Sequence, residues 1–185
     1  DLELLFDRHD DLGEVQQVIS QYASTPAAPI AMLTLASQSV QSGQYDLAQL
    51  TYAQFKQKYP QHPMAATADI GKAQCLEASG QLDQAIARFE RILSLLKKKD
   101  MTNKGQTMAL LGDLYHEKGD WERSFRMYDE VLRLDRENLA VLNNYAYYLS
   151  LREEELEKAL EMSQVTIDKE PKNPTYLDTY AWILH

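Results

Sequence analysis

The chain has 185 residues, of which 44 % are hydrophobic and 25 % charged, and its formal net charge is -9 at pH 7. That length can bury a sizeable core, that balance excludes a largely disordered chain, and the negative charge opposes the phosphate backbone, so no nucleic-acid partner is expected. No apolar run approaches the roughly 20 residues of a membrane-spanning helix, so no transmembrane segment is expected, and the single cysteine, Cys75, rules out an internal disulfide.

The first 28 residues carry an apolar stripe at helical spacing, Leu12, Val15, Val18, Ile19 and Tyr22. The segment QYASTPAAPIA from Gln21 echoes KYPQHPMAATA from Lys58, an offset of 37 between Tyr22 and Tyr59. This predicts that Gly13 to Tyr22 is the second helix of an incomplete repeat, with Leu2 to Phe6 one further helical turn.

From residue 29 onward the chain repeats itself. SGQYDLAQLTYAQF at Ser42, SGQLDQAIARFERI at Ser79 and KGDWERSFRMYDEV at Lys118 share one order, with 37 residues from Gly43 to Gly80 and 39 from Gly80 to Gly119. After each glycine comes Tyr45, Leu82 or Trp121, then a small residue, Ala48, Ala85 or Ser124, then an aromatic, Tyr52, Phe89 or Tyr128. Seven residues before each glycine stands Ala36, Ala73 or Gly112, and the series continues at Ala146 and Ala181.

Apolar residues at three- and four-residue intervals, such as Ala85, Phe89, Ile92 and Leu93, predict helices on both sides of each glycine. The small residues predict close helix crossings, with the aromatics filling the space around them. Gly43, Gly80 and Gly119 suit the left-handed residue that ends a first helix, and Asp46, Asp83 and Glu122 suit the positive start of the second. Cys75, in AQCLEA, reads as a small core residue. Lys97 to Lys99 read as a solvated loop, and the widest spacing predicts a longer helix or turn around Leu95 to Gly105. The fourth copy, NNYAYYLSLREEELEKAL, has no glycine and one extra residue before Ala159, with Glu153, Glu154 and Glu155 as a solvated turn. NPTYLDTYAWILH begins a fifth first helix that ends on apolar Trp182, Ile183 and Leu184. Such an end predicts a piece of a longer solenoid, or an end-to-end dimer through exposed terminal helices.

Met108, Leu111, Gly112, Tyr115, Ser124 and Tyr128 follow the pattern W-x2-L-G-x2-Y then A-x3-F, with Met for Trp and Ser for Ala. On these residues the chain resembles the tetratricopeptide repeat family. The resemblance implies an all-α, right-handed superhelical solenoid of antiparallel helix pairs: residues 29–185 would hold four repeats and the first helix of a fifth, behind an N-terminal helical segment at 1–28. It also implies a non-catalytic scaffold that binds a peptide or partner helix in a concave groove lined by the first helices, with no cofactor. The alternative is a regulatory or substrate-recruiting segment of a larger, enzymatic protein. YPQHPMAATA resembles a turn common in repeat proteins of bacterial cell envelopes, which implies a periplasmic or membrane-associated home, with the cytoplasm as the alternative.

Carried over residue by residue, the groove would be lined by Gln74, Glu77, Asp113, His116, Glu117, Asn143, Tyr147, Asp178 and Trp182, with Ile30, Leu33, Ser37 and Val40 at the first repeat. A chaperone-tail clamp needs basic residues where this chain has Ile70, Gln106 and Ala109. Acidic walls instead predict a protein or peptide partner with a basic segment, Tyr147 and Trp182 offering aromatic faces. LGDLYHEKGDW, from Leu111 to Trp121, also brings Asp113, His116 and Glu117 within one turn. A metal-dependent hydrolase is one reading of that trio, and a helix face left to solvent or a partner is the other.

Overall fold

The structure is a computed structural model that describes residues 27–185 together with Gln21 and Thr25. The helices expected before residue 27 lie outside the described residues. Among those described, every regular element is an α-helix. In order they are α1 (Ala28–Gln41), α2 (Tyr45–Lys58), α3 (Ala65–Ala78), α4 (Leu82–Leu95), α5 (Met101–Glu117), α6 (Trp121–Leu134), α7 (Leu139–Leu151), α8 (Leu156–Lys169) and α9 (Pro174–Ile183). The chain divides between Leu96 and Lys97 into two compact units.

In the first unit α1 packs on α2, α2 on α3 and α3 on α4, and α1 also touches α3. Its core gathers Met32, Leu33, Ala36, Ala48, Tyr52, Phe55 and Ala68 around the buried Cys75, whose thiol donates to the Gly71 carbonyl at 3.2 Å. Burial also pushes that thiol's pKa up, so Cys75 is a core residue and no nucleophile. In the second unit α5 pairs with α6 and α7 with α8, and α9 packs on both α7 and α8.

The periodic small residues are where the helices meet. Ala36, Ala73 and Ala146 of the first helices and Ala48, Ala85, Ser124 and Ala159 of the second are wholly buried. Around them Tyr52, Phe89 and Tyr128 are buried as well. Gly112 shows why size matters at a crossing: a Cβ there would stand 2.5 Å from Cε1 of Tyr128. Gly71, outside the repeated pattern, meets the same limit against Tyr52 of α2, at 2.4 Å.

Each first helix closes in the same way. Gly43, Gly80 and Gly119 have φ of 73°, 76° and 76°. Their N–H groups donate to Val40, Glu77 and His116, and the next residues donate to Ser39, Leu76 and Tyr115. This pair of bonds satisfies the terminal carbonyls and turns the chain into the second helix. The fourth turn keeps the bonds without the glycine: Glu153 donates to Ser150 and Glu154 to Leu149, with Glu153 at φ 55°. The extra residue is taken up by Glu155, also left-handed at φ 45°, which caps α8. Three starts are fastened by side chains, Asp120, Asn138 and Asn173 accepting from the N–H groups of Arg123, Val141 and Thr175. The long spacing is spent on α5, with 17 residues against 14 in α4, and on the turn before it.

In α9 the repeated positions are exposed. Leu177 and Leu184 are 44 % and 60 % exposed and Ala181 is exposed too, whereas their equivalents Leu142, Leu149 and Ala146 in α7 are buried. The difference has a simple cause: α7 has α8 packed on it as its second helix, and among the described residues α9 has no such partner.

Candidate protein-interaction site

Gln74 and Glu77 sit on α3 in the first unit, where they line an open depression of about 410 Å³ opposite Ser37 and Val40 of α1. Ile30 is exposed, but Leu33, expected to share that face, belongs to the core. Helix α1 turns Leu33 inward beside Met32 and Ala36.

The other seven candidates lie in the second unit and fall into two groups. Asn143 and Tyr147 of α7 and Asp178 and Trp182 of α9 come together around an open depression of about 830 Å³ between those helices. Tyr147 and Trp182 are 36 % and 55 % exposed, and their rings meet edge to face at 6.4 Å. Beneath them Asn143 is only 6 % exposed. Its amide nitrogen donates to Asn144 Oδ1 at 3.4 Å, while its own carbonyl oxygen has no partner.

Asp113 and His116 form a different arrangement. Half-buried, Asp113 accepts at Oδ1 from the Tyr128 hydroxyl at 2.5 Å and from Asn144 Nδ2 at 3.1 Å, linking α5 to α6 and α7. Burial and the Asp113 carboxylate both raise the Tyr128 pKa far above the ordinary phenol range. The His116 ring lies flat on Tyr148, 3.5 Å between centroids and 9° between planes, with Trp121 edge-on at 4.6 Å. Burial lowers its pKa below 6.5 against the opposing pull of Asp113 and Glu117, so the neutral imidazole is favoured. Tyr148 is pushed up to about 12, by burial first and by Asp113 second. Glu117 alone of the trio is exposed.

This disposes of the trio as ligands with filler between them. The carboxylate of Asp113 serves two donors and the imidazole is stacked, and among the described residues no group of three His, Cys, Asp or Glu could hold a metal ion. Tyr148 and the role of Asn144 were not evident from the repeats. The signal was present in their spacing, since residues four apart on α7 share one face and present both side chains to α5.

Two family models, each described as tetratricopeptide repeat, match residues 30–62 and 64–137, together more than half of the chain. The chain is a tetratricopeptide repeat protein. Among curated proteins, none matches it in sequence. Solved structures match in fold. A tetratricopeptide repeat protein from Parabacteroides merdae is 16 % identical with a TM-score of 0.65, over 84 % of this chain and 58 % of that one. A chain of the APC/C hetero-tetramer Cut9-Hcn1 is 21 % identical with a TM-score of 0.70, over 94 % of this chain and 33 % of that one. YrrB, described as a TPR protein with an unusual peptide-binding site, is 14 % identical with a TM-score of 0.60, over 91 % of this chain and 81 % of that one. The repeat protein described here thus spans a little over half of the first of these chains and a third of the second. Tetratricopeptide repeats are in general protein–protein interaction modules, and neither family match is to a catalytic family.

What the surface between α7 and α9 offers such a module is the Asp178 carboxylate, two aromatic faces, the His185 imidazole, the hydroxyls of Thr175 and Thr179 and a half-served amide. These groups can grip a chain that carries donors or cations.

Proposed function

We propose that the protein is a non-catalytic interaction module that receives a peptide or a partner helix on the first helices of its pairs, chiefly between α7 and α9. One observation carries this reading: Tyr147, Asp178 and Trp182 are exposed around one depression, while residues that recur from repeat to repeat, such as Ala146, Tyr128 and Leu149, are buried. An exposed aromatic pair beside an acid, with a buried amide beneath, has the composition of a binding surface and none of a core. Partners with a basic segment suit the net charge of -9. In a longer protein the same surface would recruit a substrate or regulator to a neighbouring domain.

The reading is tested by placing a photo-crosslinking p-benzoylphenylalanine at Tyr147 and, separately, at Gln164, exposed on α8. Adducts with one partner from position 147 and none from 164 are expected. Adducts only from 164 would move the binding surface to the second helices and end the proposal.

The open side of α9 supports a second reading. Leu177, Ala181 and Leu184 occupy positions that are buried elsewhere, so a further helix seated there would cover them, from the chain beyond or from a second copy.

A further inference from the structure

Three aromatic rings of the second unit hold a cation of the kind that the depression between α7 and α9 lacks. Trp121 has the Arg152 guanidinium over its ring at 5.0 Å, Tyr115 has Arg123 at 4.4 Å, and Tyr145 has the Lys158 ammonium at 4.5 Å. Trp182 is more exposed than any of these rings and has no cation over it among the described residues. Asp178, one turn before it on α9, is exposed and forms no ion pair with a described residue, unlike Asp120, Glu122 and Glu154, which hold Arg123, Arg126 and Arg152. An acid and two aromatic faces therefore stand together, and no Lys or Arg is among the residues lining the depression, where His185 completes the rim.

Resting on the interaction reading above, we propose that this depression is a subsite for a lysine or arginine side chain of an extended partner segment. The aliphatic stem lies between Tyr147 and Trp182, where apolar methylenes and the ring faces attract it, and the cationic head meets the Asp178 carboxylate. Asn143 supplies a second, independent element. It is more than nine-tenths buried in the lining, and its carbonyl oxygen lacks a donor while its nitrogen makes only the 3.4 Å bond to Asn144. That oxygen has almost no exposure of its own, so an N–H of the bound segment donates to it as the lining yields, with the bond from the amide nitrogen to Asn144 left in place. An unsatisfied buried acceptor gains from such a donor the desolvation it otherwise forfeits. The partner class is thus a peptide in extended form, with free backbone N–H groups and one basic side chain.

The test uses two nonapeptides of Gly, Ser and Ala that differ only at the centre, one with lysine and one with norleucine, which keeps the stem and removes the ammonium. Titration is followed by the indole N–H resonance of Trp182 at low and at physiological salt. The lysine peptide is expected to move that resonance saturably and at least tenfold more tightly than the norleucine peptide, the difference shrinking with salt. Asp178→Asn is expected to abolish the preference with thermal melting unchanged, while Glu161→Gln, exposed on α8, retains it. Equal affinities for the two peptides, no saturable shift with either, or a preference that survives Asp178→Asn would overturn the subsite. If the peptides fail these criteria while crosslinks still form from position 147, the interaction surface stands and only its basic specificity falls.

Discussion

Helix α5 contains two glycines that make opposite predictions for the same substitution. At Gly105 a Cβ would meet nothing within 4 Å, so Gly105→Ala simply improves a helix interior and should stabilise the protein by up to about 1 kcal/mol. At Gly112 the added Cβ falls 2.5, 2.8 and 3.0 Å from three ring carbons of Tyr128. That ring cannot swing away cheaply, being wholly buried and anchored through its hydroxyl to Asp113. Overpacking of this kind costs about 1–3 kcal/mol, and losing the bond to the carboxylate adds about 1.5–3 kcal/mol if the ring is expelled. Set against the helix gain of about 1 kcal/mol, Gly112→Ala should destabilise by up to about 2 kcal/mol net if the ring stays and by about 1.5–5 kcal/mol if it is expelled. The check is urea unfolding of both variants, with Gly112→Ala repeated in a Tyr128→Leu background. A smaller side chain at 128 should recover at least about 1 kcal/mol as coupling between the two sites. If Gly112→Ala proves as stabilising as Gly105→Ala, the crossing of α5 with α6 is not where the structure places it.

Three further outcomes follow from the same geometry. Glu153→Gly should raise stability by about 1 kcal/mol, because a left-handed residue with a Cβ carries strain that glycine lacks, and a lowered melting temperature would contradict the turn. Ala85→Glu should cost about 2–5 kcal/mol in chemical unfolding, since Ala85 is wholly buried at a helix crossing and a carboxylate there has no partner; parity with the parent would remove that crossing. His116 should titrate by proton NMR with a midpoint below 6.5, burial outweighing Asp113 and Glu117. Because its folded pKa is depressed, its contribution to stability is complete above 6.5 and is lost as pH falls through the folded midpoint, an acid sensitivity that His116→Phe should lack.

The helices and their crossings were legible because one spatial requirement recurs at each pair: a small residue at the contact, an aromatic beside it and a left-handed residue at the turn. Repetition reveals such a rule even where one copy departs from it, as Glu153 does. The bonds of Asp113 left no such trace. Its equivalents in the neighbouring repeats are Gln74 and Tyr147, which do nothing to mark it as structural, and its role depends on Tyr128 and Asn144, one on each of the two following helices. A bond between three helices, made once, leaves no period in the sequence. Gly71 escaped notice likewise, since its constraint comes from Tyr52 on the preceding helix and is met nowhere else in that register. The pairing of Tyr147 with Trp182 was foreshadowed, both lying one residue after a repeated alanine, Ala146 and Ala181.

The central claim is that the exposed, non-repeating residues between α7 and α9 bind while the repeated ones fold. It is tested most directly by measuring melting temperature and affinity of the Tyr147→Ala, Trp182→Ala double variant for the partner crosslinked from position 147. A melting temperature close to that of the parent and an affinity reduced at least tenfold are expected. An unchanged affinity in a variant that still folds would contradict it.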